Sequence, residues 1–239
     1  MTKIIVTETA EKENNLLYVQ TSLSELLKRT ESVASVKSRD NYSRLSVDTE
    51  DYYSGIVNAE ICDKLSEIIA VNYKYRYFKK NIDIKGLSET EKEILYASLI
   101  AADFEEDKKY VFERLKGYTD ITLEGIYNFR LQPLKKKWKE IVDCMPACFV
   151  NSQMVDFIGF LLENKTKRVY VDGGRVYDSH YRRLNRCALL DGEDVKIIRE
   201  VILSNAGEAE IFGSIPPEDE KYFKLLYKDK IFFSSGYFC

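Results

Sequence analysis

The stretch from Asp120 to Asn164 constrains the fold of this chain more than any other part of the sequence. Apolar side chains recur there at steps of three to five residues, as they do on one face of a helix. They are Ile126, Phe129, Leu134, Trp138, Ile141, Met145 and Phe149. The only Trp of the chain lies within this stripe, where a large ring can anchor packing. We therefore expect this stretch to form a helical centre that the rest of the chain covers.

Two prolines, Pro133 and Pro146, interrupt the stripe. Proline lacks an N–H group and clashes with the preceding turn, so it ends or kinks a helix. The pattern predicts three helices: one that ends near Arg130, a second that reaches about Cys144, and a third from about Ala147 to Glu163. The alternative is one long helix with two kinks.

The same stretch resembles the core of a known family. The segments LEGIYNFRLQPLKKKWKEIVD and MVDFIGFLLE, followed by KRVYVDGGRVYD, are similar to the central helices and hairpin of the YtxC-like sporulation proteins of endospore-forming bacteria. The matching positions are Ile126, Phe129–Leu131, Ile141–Asp143 and Phe157–Leu162. The resemblance implies a role in spore formation, and it implies no catalytic residue.

Composition and charge indicate a folded protein of ordinary type. The 239 residues, 45% hydrophobic and 31% charged, suffice for one domain with a core or for two small ones. The net charge of −3 argues against general attraction to nucleic acid or to anionic membranes. The opening MTKIIVTE does not resemble a signal peptide, and no apolar run reaches the roughly 18 residues of a membrane span. Because the cysteines also show no disulfide framework, we expect a cytoplasmic protein with free thiols.

Helices and short strands are predicted on both sides of the central stretch. Residues 3–48 show a β-α-β-β pattern, and a capping box at Ser88–Glu91 opens a helix that Gly117 ends. Arg168–Tyr177 is predicted to be a hairpin, because Asp-Gly-Gly supplies the positive φ angles of a tight turn. The predicted fold class is α+β, with a mostly helical core and small antiparallel sheets in the N-terminal and C-terminal parts.

Gly117 is the predicted boundary between two domains. Residues 1–117 would hold the N-terminal β-α-β-β unit and its helices. Residues 118–239 would hold the family-like helical core, the hairpin and the C-terminal α/β elements. The chain shows no repeat and no linker rich in Gly or Pro that would mark another boundary.

Few residues form a pattern that suggests catalysis. His180 follows Asp178 and Ser179, but the members of a catalytic triad meet through the fold and need not be neighbours in sequence. The run Asp172–Gly174 lacks the spacing of a phosphate-binding loop and leads into a strand, whereas phosphate loops open helices. We predict a polar loop at His180, turn chemistry at Asp172–Gly174, and no catalytic residue.

Cysteine spacing suggests one possible metal site. Cys144 and Cys148 could combine with Cys187 and His180 in a tetrahedral zinc site. Pro146, however, disturbs the helix that would align the first two thiols, and free cysteine is among the most often buried residue types. We therefore predict no metal and no cofactor.

Three basic clusters form the candidate binding surface. They are Tyr73, Tyr75 and Arg76; Lys135, Lys136 and Lys137; and Arg182, Arg183 and Arg186. The first belongs to Asn72–Phe78, whose alternating aromatic and basic residues suit a strand or a ragged helix end. Rings interleaved with cations are what single-stranded nucleic acid needs. Acidic residues nevertheless outnumber basic ones, 39 to 36, and lysines opposite an apolar stripe commonly face water.

Two functions are compatible with these patterns. The favoured one is a non-enzymatic accessory protein of spore development that binds another, unidentified protein. It depends on the family resemblance and on the lack of a catalytic constellation in the sequence. The alternative is a nucleic-acid-binding protein that uses the basic and aromatic clusters.

Overall fold

A computed structural model of the chain describes residues 1–234, which form an α+β fold. The strands are β1 (Thr2–Thr9), β2 (Val33–Arg39), β3 (Tyr42–Thr49), β4 (Asp120–Thr122), β5 (Lys167–Asp172), β6 (Arg175–Tyr177), β7 (Arg183–Leu184), β8 (Ala206–Phe212) and β9 (Ile231–Ser234). The helices are α1 (Glu13–Ser22), α2 (Ser24–Arg29), α3 (Ser54–Ile68), α4 (Lys74–Asn81), α5 (Glu89–Ala102), α6 (Phe104–Leu115), α7 (Leu123–Phe129), α8 (Gln132–Asp143), α9 (Asn151–Leu162), α10 (Lys196–Leu203) and α11 (Pro217–Tyr227). A π-helical turn, Ile69–Tyr73, follows α3. The predicted fold class is confirmed.

The chain folds into two compact units, each built from two segments of the sequence. Unit 1 comprises Met1–Lys74 and Phe104–Glu140, and unit 2 comprises Tyr75–Asp103 and the chain from Ile141 onward. This division differs from the predicted boundary at Gly117. Local patterns missed it because strand pairing and helix packing join residues that are far apart in sequence.

Unit 1 contains a four-stranded sheet in the order β2-β3-β1-β4. Strand β1 pairs antiparallel with β3, and β4 joins the other side of β1 in parallel, with Val6 opposite Ile121. Alternation places the apolar residues of β1 and β3 on one buried face, which α1 covers. The buried side chains are Ile4, Val6, Leu45 and Val47 from the sheet and Leu16 and Val19 from α1.

Trp138 lies in the core of unit 1, as predicted, and is 0% exposed. Its indole Nε1 donates to the Asp107 carboxylate at 2.9 Å. The same carboxylate accepts from Lys74 Nζ at 2.8 Å and from Lys137 Nζ at 3.0 Å. Lys74 and Asp107 are both buried, so the ion pair is shielded from water and needs these hydrogen bonds to offset its desolvation.

The central stretch forms the three predicted helices, α7, α8 and α9. Pro133 is the second residue of α8, in the first turn, where its missing N–H has no intrahelical partner to lose. Pro146 lies in the connection before α9, which begins at Asn151 and not near Ala147.

The stretch is not, however, one helical centre. It is divided between the two units after Glu140, and its apolar stripe is only partly buried. Leu134 and Trp138 are in the core, whereas Phe129, the last residue of α7, is 83% exposed.

Unit 2 contains a five-stranded sheet in the order β7-β6-β5-β8-β9. Strands β5, β6 and β7 form an antiparallel meander, and β8 and β9 run parallel to β5. Both sheets formed by residues 1–234 are therefore mixed, whereas the sequence predicted antiparallel ones. In unit 2 the difference arises because α10 and α11 carry the chain back, so that the next strand starts in the same direction.

Helices α10 and α11 pack on one face of this sheet, and α5 packs against α9 and α10. The sheet residues on the helix-covered face are buried; they are Val169, Val171, Val176, Ala209 and Ile211. The N-terminus of α10 is capped from α11, where the Asp219 carboxylate accepts from Ile198 N at 2.8 Å. The opposite face of this sheet carries aromatic and charged side chains.

Candidate functional site

The face of the five-stranded sheet opposite α10 and α11 carries rings and charged groups. Successive side chains of a strand point to opposite faces, so Arg168, Tyr170 and Asp172 of β5 share this face. The strand registers extend it in two rows across the sheet. One row is Arg183, Tyr177, Tyr170, Glu210 and Phe232, and the next is Arg175, Asp172, Phe212 and Ser234. We call this surface, together with Arg168, Glu208 and the Asp178–Arg182 loop, the aromatic face.

The rings of the aromatic face lie against one another. Tyr170 stacks on Tyr181 with ring centroids 5.4 Å apart and planes 15° apart, and Phe212 lies 6.4 Å from Tyr170 on the other side. The Arg168 guanidinium lies 5.1 Å above the Phe232 ring. Tyr181 is 58% exposed and Phe232 is 43% exposed. The face therefore presents a preformed surface with one accessible ring toward each edge of the sheet, Tyr181 beside β6 and Phe232 on β9.

A short loop after β6 positions Tyr181. The Asp178 carboxylate accepts from the backbone N–H groups of His180 and Arg182 at 2.8 and 3.0 Å, and from Arg182 Nε at 2.8 Å. Tyr181 itself has φ +59°, a left-handed conformation that is uncommon for residues other than glycine. The loop thus holds the exposed ring in place through one carboxylate.

The same contacts shift the pKa of Asp178. Partial desolvation opposes ionisation, but the hydrogen bonds from Arg182 and His180 and the Arg182 charge outweigh it, so the pKa is lowered from its ordinary value. The carboxylate is therefore ionised at neutral pH and accepts these hydrogen bonds there.

Charges are balanced over the whole aromatic face but unevenly distributed. Arg168 pairs with Glu208 at 2.9 Å and lies 3.9 Å from Glu210. Arg182 pairs with Asp178 at 2.8 Å. Within residues 1–234, Arg175 and Arg183 form no ion pair, although Asp172 is the cross-strand neighbour of Arg175. The β6–β7 side of the face therefore carries two guanidinium groups without an ion pair among the described residues, with the Asp172 carboxylate on the neighbouring strand β5.

The first predicted cluster lies in the core. Tyr73 and Tyr75 are 4% and 0% exposed; Tyr73 donates to Glu8 and Tyr75 to Glu93, both at 2.8 Å. This segment is helical, and a helix buried on most sides produces an apparent alternation without any strand. Tyr73 and Tyr75 are thus not part of an exposed binding surface, and Arg76 is half-buried. We correct the prediction for this cluster accordingly.

The lysine cluster belongs to unit 1 and its members have separate roles. Lys135 lies 4.6 Å over the Tyr127 ring, and Lys137 pairs with Glu106 as well as with Asp107. Lys136 is 80% exposed. Among residues 1–234, these lysines share no exposed aromatic platform of the kind that nucleic-acid binding by stacking requires.

The arginine cluster belongs to unit 2 and divides into two parts. Arg182 and Arg183 lie on the aromatic face, as described above. Arg186 is half-buried instead and donates from Nη1 to the backbone oxygen of Leu203 at 3.0 Å, at the end of α10. A cation at a helix C-terminus stabilises the helix, so Arg186 has a structural role.

The thiols differ strongly in accessibility. Cys62 and Cys187 are buried, and desolvation raises the pKa of Cys62 to about 11 and that of Cys187 to about 12. Cys144 and Cys148, which we call the exposed thiols, are at the surface. Cys239 lies outside the described residues. Within the described chain, no group of three or more His, Cys, Asp or Glu side chains is arranged to hold a metal ion.

His180 does not form a triad with its neighbours. The Asp178 carboxylate accepts from the backbone N–H of His180, and the Ser179 hydroxyl is 3.4 Å from the ring Nδ1. All three residues are part of the loop that holds Tyr181, which agrees with the polar-loop interpretation.

A groove of about 360 Å³ lies elsewhere in unit 2, between α9 and the end of α11. Its walls include Gly159, Phe160 and Leu226, and Lys230 donates to the backbone oxygen of Glu163 at its rim. Ligand sites combine an apolar pocket with a few convergent polar groups. The aromatic face, where stacked rings lie beside paired charged groups, is the stronger candidate.

Sequence reasoning missed the rings at the centre of the aromatic face, Tyr170, Tyr177, Phe212 and Phe232. The alternation in Arg168–Asp172 carried a signal, since one side of that strand is apolar and the other is not. Which side stays uncovered depends on α10, α11 and the strands that they connect, and these lie tens of residues further along the chain.

None of the helices described here has both the length and the apolar composition of a membrane span. Comparisons of this chain with protein-family models, with curated proteins and with solved structures found no significant match.

Proposed function

We propose that this chain is a non-enzymatic accessory protein that acts by binding another protein through the aromatic face. One observation carries the proposal: Tyr181 and Phe232 are exposed on a preformed sheet surface, stacked or capped by Tyr170 and Arg168. Tyr, Phe and Arg are the residue types that protein interfaces favour. Rings that are already ordered lose little conformational entropy when a partner covers them.

The balance of charge on the face supports a protein partner over nucleic acid. Glu208 and Glu210 occupy the surface around Arg168 and neutralise it. A phosphate backbone needs cations along its whole path, and it gains little from guanidinium groups that already have carboxylate partners. Nucleic-acid binding is therefore the second candidate.

The YtxC-like resemblance of the central helices supports a role in spore development as the cellular setting. The non-enzymatic character is supported by the contacts at Asp178, Ser179 and His180, the one run that suggests a triad, because there the carboxylate binds backbone N–H groups and supports a loop. The resemblance is independent of the aromatic face, whereas the contacts at Asp178 belong to the loop of that face.

Affinity capture from sporulating cells tests the proposal. The wild-type chain should retain a specific protein, and Tyr181→Ala and Phe232→Ala should lose it while melting like the wild type. Phe129→Ala is the matched control, because Phe129 is even more exposed but lies in unit 1.

The proposal would be wrong in its choice of surface if Phe129→Ala and Tyr181→Ala weakened capture equally. It would be wrong in its class of partner if the retained material were nucleic acid, released by nuclease treatment and bound again as purified RNA or DNA.

A further inference from the structure

The uneven charge of the aromatic face indicates the chemistry of the segment that binds there. Strand β6 carries Arg175 and Tyr177 on this face, two residues apart, which is roughly 7 Å along a strand. Arg183 lies opposite Tyr177 on β7, a strand spacing of about 4.8 Å away. Tyr177 therefore neighbours both arginines on this face, Arg175 along β6 and Arg183 across on β7.

These two arginines differ from the other two of the face. Arg168 and Arg182 are neutralised by Glu208 and Asp178, while Arg175 and Arg183 have no ion-pair partner within residues 1–234. Covering the neighbouring rings would remove water from both guanidinium groups. Desolvating an unpaired charge is costly, so a partner that buries this part of the face must supply compensating acceptors.

We infer that the partner contacts the aromatic face through an acidic peptide segment, whose carboxylates bind Arg175 and Arg183 while its apolar side chains cover Tyr170, Tyr181 and Phe212. This inference rests on the proposed function. Carboxylates match the fork of donors on a guanidinium group and can bind it bidentately. An acidic segment therefore compensates both cations at the place where the rings are buried.

A peptide suits this surface better than single-stranded nucleic acid because its charges can be placed selectively. Glu208 and Glu210 lie on the β8 side of the same face, where negative charge on a ligand is repelled. A peptide can direct apolar residues to that side and carboxylates to the other. A nucleic acid carries a phosphate at every nucleotide and cannot avoid the acidic side.

Selection of peptides from a phage-displayed random library on the intact chain tests the inference. Peptides selected on the wild type should be enriched in Asp and Glu next to apolar or aromatic residues. Selection on the double variant Arg175→Gln, Arg183→Gln should lose the acidic enrichment. The control is Arg39→Gln, because Arg39 is 94% exposed on β2 of unit 1 and should leave the selection unchanged.

One selected peptide is then synthesised with capped ends and compared with its Gln and Asn counterpart by fluorescence anisotropy. The acidic form should bind more tightly, and each single arginine variant should weaken its binding roughly two- to fivefold, as the loss of one exposed ion pair does. The difference between the two forms should shrink as NaCl is raised, because salt screens exposed charges. The arginine variants should not change binding of the neutral form.

The outcomes separate this inference from the proposed function. Selected peptides that are lost on Tyr181→Ala but show no acidic enrichment would refute the acidic segment and leave the aromatic face as a protein-binding surface. Peptides that bind Tyr181→Ala as well as the wild type would count against the face itself. Tighter binding of single-stranded oligouridylate than of any peptide would reassign the face to RNA, and self-association abolished by Arg183→Gln would assign it to a second copy of this chain.

Discussion

Trp138 provides a sharp test of how unit 1 is held together. Its side chain is 0% exposed, its ring lies 6.2 Å from that of Tyr127, and its Nε1 donates to Asp107. Trp138→Ala removes both the apolar ring and the donor, and truncation of a buried aromatic side chain costs roughly 3–5 kcal/mol. This loss would consume much of the roughly 5–15 kcal/mol that stabilises a typical domain.

Trp138→Phe separates the two contributions. The phenyl ring keeps most of the apolar contact but leaves Asp107 with one donor fewer, and a hydrogen bond to a charged group is worth about 1.5–3 kcal/mol. We therefore expect Trp138→Phe to fall between the wild type and Trp138→Ala. Lys136→Ala, at an 80% exposed position of the same helix, should change stability by no more than about 0.5 kcal/mol.

The assay for this series is urea unfolding followed by far-UV circular dichroism. Fluorescence is unsuitable because both Trp138 variants remove the only Trp of the chain. Hydrogen exchange of peptides from unit 1 shows whether the loss is local. The reasoning would be refuted if Trp138→Phe unfolded like the wild type, since the hydrogen bond to Asp107 would then contribute nothing, or if Lys136→Ala cost as much as Trp138→Ala.

Three further predictions concern the reactivity of the thiols, the titration of Asp178 and the packing at two glycines. In the native protein the exposed thiols should react with iodoacetamide within minutes, whereas the buried Cys62 and Cys187 should react only after denaturation. Mass spectrometry of the labelled peptides measures this, and rapid labelling of Cys187 would contradict its burial. Hydrogen bonds lower the pKa of Asp178, so its carboxylate stabilises the loop fully above the ordinary pKa of 3.8 and loses this effect as the pH falls through the lower folded-state pKa. The amide NMR shifts of His180 should therefore titrate with a midpoint below 3.8, and Asp178→Asn should abolish that transition. Gly207→Ala should lower the free energy of unfolding by about 1–3 kcal/mol, because a Cβ there would overlap the backbone oxygen of Lys165. Gly159→Ala, at an open position of α9, should be neutral or stabilising in the same urea unfolding assay.

Local chemistry made several elements predictable from the sequence. The capping box at Ser88 forms as expected, with Ser88 accepting from Glu91 N and the Glu91 carboxylate accepting from Ser88 N. Pro133 lies in the first turn of α8 and Pro146 lies between α8 and α9, because a residue without an N–H group is unfavourable inside a helix. The Asp172–Gly174 turn follows equally from local backbone preferences, since both glycines have positive φ.

Long-range pairing made other features unpredictable. Tyr73 and Tyr75 resemble surface residues in sequence, but Glu8 and Glu93 lie opposite them in the fold and accept hydrogen bonds from their hydroxyl groups. The aromatic face could not be inferred because its rows combine residues from five strands that span the chain from Arg168 to Ser234. Only the register between those strands brings Tyr170 beside Phe212.

The interleaved segments of the two units set an order of events during synthesis. Helix α5 ends at Ala102, but α10, against which it packs, begins at Lys196. At about 5–20 residues per second, a ribosome needs roughly 5–20 s to make the chain between them. During that time the side of α5 that packs on α10 has no native partner, although α9 can already pack against the helix. Unit 1 meanwhile can close its sheet as soon as β4 has emerged. Nascent chains of this protein should therefore depend on chaperones mainly for Tyr75–Asp103, and no single proteolytic cut can release either unit intact.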